Sequence, residues 1–444
     1  MAQQIASVDR YIQAFDALSR DGFARDPSWL QDLRKAALLK FGEMGFPTAR
    51  RGNEEWKYTN VGPLSRVPFR PLPSSTPAPI ERGDMERFAF GEPQWPRLVF
   101  VDGAYAEALS SVASLPAGVS VLSLVEAMAA QGPLLERHLA RYAAYETRAF
   151  TALNTAFLRD GALVHIPDGV VVEAPIHLLF LFTTGEPDLA SHPRVLILTG
   201  KGSQATVVES YGGLGEGRYL SNAVTEIAVG PGSVVKHYKV QRHSEQAYHI
   251  GATDVALSRD ASFTSVSVDL GGGLVRNDLN VLMGDEGASC VLNGIYLVTR
   301  SQHVDNQVIV DHAKPYTTTR EVYKGVLGGK ARSVFHGSII VREGARKVDA
   351  RQEDRNLLLS PHAEADTKPA FWIYCDDVKC AHGATCGQIN EDALFYLGSR
   401  GIGEEEARNM LTRAFVVEVI NSIGSEPLRT RIDELAMAKL KELW

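Results

Sequence analysis

The segment Cys375-Asp376-Asp377-Val378-Lys379-Cys380-Ala381-His382-Gly383-Ala384-Thr385-Cys386 holds three of the four cysteines in the 444-residue chain. Thiolate and imidazole are the ligands that soft and borderline metals prefer, iron and iron–sulfur clusters among them. Side chains two apart along a strand share a face, so a strand here sets Cys380 and His382 side by side. Cys386 joins them if the strand stays regular, and Cys375 falls on the opposite face. Two ligands leave a four-coordinate site half built, and a second segment or a second chain has to complete it. The competing reading makes these thiols small hydrophobes, because free cysteine is among the most buried residue types. Cys290, alone in an apolar run, reads as a core thiol.

Other constellations carry less. His237, His243 and His249 recur every six residues among Lys236, Lys239 and Arg242. Metal sites on one element use shorter gaps, so this spacing predicts a solvated surface. In Asn53-Glu54-Glu55-Trp56-Lys57-Tyr58-Thr59 the indole reads as packed with its N–H satisfied. Asp376 and Asp377 point to opposite faces of a strand, which weakens them as an acid–base pair. The Gly-Lys pairs at Gly200 and Gly329 lack the upstream glycine of a triphosphate loop, and Gly212, Gly213, Gly215 and Gly217 do not fit a dinucleotide fingerprint. No nucleotide is expected on this chain. No G-x-S-x-G elbow and no C-x-x-C pair occurs.

The elements that must position the cysteine–histidine segment follow from periodicity. Ile5, Val8, Ile12 and Phe15 form one helical stripe; Leu30, Leu33, Ala37, Phe41 and Met44 form another, with Pro27 in its first turn and Gly45 and Pro47 ending it. Pro63, Pro68, Pro71, Pro73, Pro77 and Pro79 predict an irregular extended connector. Leu98 to Val101 with Asp102-Gly103 reads as strand and turn, and Leu134 to Leu153 as helix. From Gly161 on, short β-branched runs such as Val170–Val172, Val195–Leu198, Thr206–Val208, Ile339–Val341 and Phe371–Ile373 alternate with turn residues. No helix interrupts them, which excludes a doubly wound sheet. Small residues before strands at Ala205, Ser233, Ala261 and Ala288 step by about 28 residues, and similar turns recur at Ala331 and Ala363. A β-solenoid explains this pattern, with a large β-sandwich as the alternative. The chain therefore divides into a mostly helical region with the Pro-rich connector at 1–160, a mainly β core at 161–398 and a helical region at 399–444. In that last region Ala407, Met410, Leu411, Ala414 and Phe415 make one apolar stripe, and Leu428, Ile432, Leu435, Ala436 and Lys439 make another. These stripes either cap an open solenoid end or dock a partner.

Composition narrows the function. A hydrophobic fraction of 45% and a charged fraction of 22% fit a globular protein. A net charge of −7 argues against a nucleic-acid partner. No apolar run reaches the ~18 residues that span a bilayer, so no membrane partner is expected. The start, with Asp9, Asp16 and Asp21, resembles neither a signal nor a transit peptide, which predicts a cytoplasmic protein with reduced thiols.

The chain resembles the SufB/SufD family of iron–sulfur cluster assembly proteins, and its SufD branch more than its SufB branch. The resemblance is carried by Tyr323-Lys324-Gly325-Val326-Leu327, Ser333-Val334-Phe335-His336-Gly337, Asn356-Leu357-Leu358-Leu359-Ser360, Ala363-Glu364-Ala365-Asp366 with Lys368-Pro369, and Asp376 to Thr385. Upstream, Glu55-Trp56-Lys57-Tyr58-Thr59 and Ala152-Leu153-Asn154-Thr155-Ala156-Phe157 also match. Two departures favour the SufD branch: Pro361 to Asp366 has no cysteine where SufB chains carry one, and His382-Gly383-Ala384-Thr385 stands where SufB tends to have His-Glu-Ala-Thr. The resemblance implies a right-handed parallel β-helix with helical regions at both ends. It implies a scaffold without catalytic residues, pairing with SufB through the β-helix edge and with the ATPase SufC through the C-terminal helices. A nascent iron–sulfur cluster would form at the SufB interface, with Cys380 and His382 contributing. In isolation the chain could pair with itself as a homodimer. A polysaccharide-active β-helix enzyme and a purely structural partner are the rival readings.

Overall fold

Apolar stripes at helical spacing become helices at both ends of the chain, and the alternating middle becomes a stack of strands. A computed structural model describes residues 2–49, 53–71, 79–91, 93–112, 115–184 and 188–443. Helices α1 (Ala2–Asp21) and α2 (Ser28–Met44) follow the predicted stripes, with Leu30, Ala37 and Phe41 buried. The side chain of Ile5 lies outside the described residues. Pro27 stands just before α2 as its cap, and Gly45 (φ 63°) ends it. The expected irregular connector is partly regular. Pro63 sits in the first turn of α3 (Gly62–Arg66), where its missing N–H costs nothing, and Pro71 ends the two-residue strand β1 (Arg70–Pro71). Pro73 and Pro77 lie outside the described residues. After α4 (Arg82–Glu86), β2 (Arg97–Val101) and β3 (Ala104–Tyr105) form an antiparallel hairpin through Asp102-Gly103, and β4 (Ser120–Ser123) leads into α5 (Leu124–His138).

The helix expected across Leu134–Leu153 is broken in two, α5 and α6 (Ala149–Phe157). The cause lies far away in sequence. The buried carboxylate of Glu226 takes the amide N–H groups of Ala140 (2.8 Å), Tyr142 (2.8 Å) and Ala143 (3.1 Å), and Ala140 turns to φ 58°. Amides spent on a carboxylate cannot continue a helical ladder.

Among the described residues seventeen strands follow: β5 (Gly161–Ile166), β6 (Ile176–Phe182), β7 (Leu189–Ser191), β8 (Arg194–Thr199), β9 (Gln204–Gly213), β10 (Tyr219–Val229), β11 (Val234–Arg242), β12 (Tyr248–Leu257), β13 (Ser262–Asp269), β14 (Leu274–Met283), β15 (Ser289–Val298), β16 (His303–His312), β17 (Thr318–Leu327), β18 (Arg332–Val341), β19 (Val348–Leu358), β20 (Glu364–Ile373) and β21 (Val378–Gly387). From β8 on they fall alternately into two sheets, β8-β10-β12-β14-β16-β18-β20 and β9-β11-β13-β15-β17-β19-β21, every neighbouring pair parallel. With β5 and β6 this makes a β-solenoid of about eight rungs. Helices α7 (Glu391–Ser399), α8 (Glu404–Asn421) and α9 (Glu426–Leu440) close the chain. No helix among the described residues is long and apolar enough to cross a membrane.

The register corrects two details of the sequence reading. Val170–Val172 forms no strand, only a bridge from Val171 to Gln204. In the second sheet Gln204, Val234, Ser262, Ser289, Thr318, Asp349 and Lys379 stand in one row. The counterpart of Ser233, Ala261 and Ala288 is therefore Ser203, not Ala205, and the steps run from 27 residues (Ser262 to Ser289) to 31 (Thr318 to Asp349). Ala331 and Ala363 precede the paired Arg332 and Glu364 of the other sheet. A small residue recurs at these turns because the next rung packs over it: Ala261, Ala288 and Ala331 are wholly buried.

The two ends differ. The hairpin of β2 and β3 continues the second sheet beyond β6, and β4 runs antiparallel along β5. At the other end β20 and β21 pair only with β18 and β19. The C-terminal helices do not cap that end, as the capping alternative required. They lie across the outer face of the second sheet, where Val240, Val268, Leu297 and Val326 meet Val416, Val419, Ile420, Leu428 and Ile432. The apolar stripe predicted for α8 is rotated accordingly. Met410 and Ala414 face outward, whereas Ala407, Thr412, Val416, Val419 and Ile420 are buried. Lys324 of β17 fastens α8 by donating to the Phe415 carbonyl (2.9 Å) and to Glu418 (2.6 Å).

Between β15 and β17, Gly294 pairs with Tyr323 and Tyr296 pairs with Gly325, so each tyrosine ring covers the glycine of the paired strand. A Cβ at Gly325 would enter the Tyr296 ring. Gly325→Ala is expected to cost about 1–3 kcal/mol by overpacking a filled interior. A thermal midpoint equal to that of the parent would refute this packing.

Candidate functional site

β21 is the last strand of its sheet, and its inner face is fixed by register. Cys380 pairs with Ala350, His382 with Gln352, Ala384 with Asp354 and Cys386 with Asn356. All four partners are buried in the bore, so the alternation places Cys380 and His382 on one inward face, as their spacing predicts. No further rung covers them. Cys380 is half-buried and His382 exposed. The imidazole leans on Phe371 of β20, ring centroids 4.2 Å apart. Cys380 borders a small apolar cluster of Ile339, Val341, Ala345, Val348 and Ala350. An open cavity of about 520 Å³ lies here, lined by Gln352, Asp354, Cys380 and His382, with Arg351, Arg355 and Lys379 among its charged groups.

Cys375 is not on the opposite face of this strand. It lies in the turn between β20 and β21 and packs on the same apolar cluster as Cys380. Asp376 and Asp377 occupy that turn as well, and Asp377 pairs with Lys347 (2.8 Å). Cys386 does share the face but stands six residues on, about 20 Å along an extended strand, out of joint reach of one metal. Cys290 is a core thiol: it is buried, it contacts Thr319 Oγ1 at 3.4 Å, and burial pushes its pKa up to about 12.

Electrostatics near the site favour uncharged forms. Burial raises the Cys380 thiol above its ordinary value; the Ala350 backbone opposes this and Asp349 adds to it. Burial likewise pushes Asp354 up to about 6 and Glu321, further into the bore, up to about 8. Among the described residues no three His, Cys, Asp or Glu side chains gather closely enough to hold a metal. Cys380 and His382 are thus two donors at an open edge.

The histidines at 237, 243 and 249 overturn the expectation of a solvated surface. All three are buried, His237 against Glu209 (2.8 Å) and His243 against His249 (3.1 Å). They line the bore with Lys239, Asn277 and Asp269, where Lys239 donates to Asn277 (2.9 Å) and Asn277 to Asp269 (2.9 Å). Burial holds His243 down at about 3 and His249 well below its ordinary value, so both are neutral.

Trp56 is packed, as read from the sequence, but by a cation: the Arg276 guanidinium lies 3.8 Å above its ring. The segment around it straps the first sheet. Thr59 donates to Asp305 (2.5 Å), Arg276 donates to the Glu55 carbonyl (2.6 Å), and Lys368 on the edge strand β20 reaches Glu54 (3.1 Å). Sequence reasoning missed Gln352 and Asp354, which floor the cavity; only the strand register identifies them. A second open groove, about 510 Å³, runs between α8 and α9 and is lined by Met410, Met437, Leu440, Glu405, Glu406 and Arg413.

Comparison with known proteins matches most of the chain. Residues 5–178 match the family described as SufBD protein N-terminal region, and residues 181–415 match SUF system FeS cluster assembly, SufBD core domain. An iron–sulfur cluster assembly SufBD family protein of Synechocystis sp. is 30% identical over 96% of this chain and 94% of its own length. The iron–sulfur cluster assembly protein SufD of Escherichia coli is 28% identical over 93% of this chain and 92% of its own length. That of Bacillus subtilis is 25% identical over 98% of both. With the strapped N-terminal region and the solenoid core matched in order, this chain belongs to the SufBD family of iron–sulfur cluster assembly proteins.

Proposed function

We propose that the chain is a non-catalytic scaffold subunit of the SufD type, and that Cys380 and His382 are half of a ligand set for a nascent iron–sulfur cluster, which is cargo rather than a resident cofactor. The observation that carries this is a thiol and an imidazole side by side on the last, uncovered strand of a solenoid whose edge has free hydrogen-bonding groups. Such an edge is a template for a strand of another chain, and a second chain supplies the missing ligands. SufB is the proposed partner there, and a second copy of this chain can take the same edge when SufB is absent. The absence of nucleotide motifs fits ATP hydrolysis on SufC. The groove between α8 and α9, apolar in its walls and rimmed by Glu405, Glu406 and Arg413, is the proposed SufC contact. Free thiols fit a reducing compartment, and the cytoplasm is the proposed one.

The test is co-expression of the full chain with SufB and SufC, followed by iron and sulfide analysis of the purified complex. Absence of both from an intact complex would defeat the reading. Deleting the C-terminal helices is a poor probe, since it bares the apolar outer face of the second sheet. Met410→Asp is a better one: its side chain lines the groove and is 46% exposed, so the fold should persist. This variant is expected to lose SufC in a pull-down by at least ~10-fold while retaining SufB, as a charge in an apolar contact leaves it unpaired. Undiminished SufC capture would reject the groove.

A further inference from the structure

We propose that Gln352 is a positioning residue for His382: its carbonyl oxygen accepts one imidazole N–H, directly or across one water, and leaves the other ring nitrogen as the donor to iron. The inference rests on the reading of Cys380 and His382 as ligands and adds which residue aims one of them.

The argument starts from the register. On the inner face of the second sheet His382, Gln352 and Glu321 are successive partners across β21, β19 and β17. Paired strands stand about 4.8 Å apart, so the amide of Gln352 lies directly below the imidazole row. The amide is held from two sides. Its Nε2 donates to Glu321 Oε2 at 3.3 Å. It also fills the notch left by Gly337 on the facing strand β18, where any Cβ would meet that nitrogen. With the nitrogen committed, the carbonyl is the remaining polar end, and Gln352 Oε1 has no hydrogen-bond partner although it is buried. Gln352 also lines the cavity shared with Cys380 and His382, which has room for water.

An imidazole that binds a metal through one nitrogen nearly always gives its other N–H to a carboxylate, carbonyl or water, and that bond fixes tautomer and ring direction. His382 has a ring contact with Phe371 to set its tilt, and the unpartnered carbonyl of Gln352 supplies the acceptor. Glu321 and Gly337 act through Gln352, one by tying the amide nitrogen and the other by making room for it.

The experiment measures the tautomer of neutral His382 by nitrogen NMR on the full-length chain labelled at histidine, with His382→Ala identifying the resonance among the 12 histidines. One tautomer is expected to dominate by roughly tenfold in the parent, the bias a single hydrogen bond can impose. Gln352→Leu should abolish most of that bias, Glu321→Leu should reduce it by freeing the amide to turn, and Glu321→Gln, which keeps an acceptor, should preserve it. An unchanged tautomer ratio in Gln352→Leu overturns the proposal. If that variant does not fold, Gln352→Asn withdraws the carbonyl by one methylene, and an unchanged ratio there overturns it equally. The measurement uses the free chain without iron or partners. A failure here leaves the ligand reading standing, and a failure of cluster assembly leaves the tautomer result standing.

Discussion

Replacing Cys380 by serine and His382 by alanine together is expected to leave the proposed complex with SufB and SufC assembled and nearly empty of iron and sulfide. Serine keeps the size of the side chain but removes the soft sulfur donor, and alanine removes the imidazole. Both positions sit at an edge, with Cys380 half-buried and His382 exposed, so neither change opens a core cavity. The loss should exceed the 10–100-fold that follows from disturbing groups merely behind a metal ligand. Melting temperature and complex stoichiometry should match the parent, which separates lost ligation from lost folding. Cys386→Ser is the internal control, because that thiol shares the strand and its exposure but lies out of reach. If the double variant loads iron and sulfide normally, Cys380 and His382 are not ligands; if Cys386→Ser alone is defective, the site has been placed at the wrong end of β21.

Glu226→Gln is expected to cost about 3–5 kcal/mol, the range for breaking a buried ion pair from one side. The Glu226 carboxylate is fully buried and receives Arg194, itself fully buried, at 2.5 Å. It also receives the three amides that break the chain between α5 and α6. Arg194 reaches on to Asn154 (3.1 Å) and Thr155 (3.1 Å) of α6. Neutralising Glu226 takes from the buried guanidinium its direct ion-pair partner and turns an amide group toward backbone donors. Arg194→Met with Glu226→Gln should cost less than the sum of the two single changes, because no buried charge remains. The exposed pairs of Arg259 with Asp285 and Glu286 have similar distances, 3.1 and 2.9 Å, and should matter little in the same assay. A Glu226→Gln protein within ~1 kcal/mol of the parent would show that the three amides alone stabilise this junction.

The solenoid was legible because a parallel stack needs no helices between strands, and turn residues recur wherever a rung closes. The register was not legible, since Ala205 and Ser203 are equally small and only pairing distinguishes them. His237, His243 and His249 show why polarity misled. Polar residues in an alternating strand ordinarily face water, but both faces of this sheet are covered, the outer one by α8 and α9, so histidine, lysine and glutamate lie in the bore beside apolar neighbours such as Val235 and Phe263. No local pattern reveals that the outer side will be covered by helices that come later in the chain. The break between α5 and α6 was hidden for a similar reason, since the carboxylate that causes it lies more than eighty residues downstream. Cys380 and His382 were readable because two-residue spacing survives any register; Gln352 was not, because its role depends wholly on which rung lies beneath which.

The bare final rung has a consequence for how the chain must be supplied. A molecule released before the proposed SufB counterpart carries two unsatisfied strand margins, β20 and β21, beside exposed Trp372 and Tyr374. Surplus copies would meet one another, or any nascent polypeptide able to lie alongside, so under the proposed pairing with SufB matched synthesis of both subunits would guard against off-target aggregation as much as it would provide for cluster building.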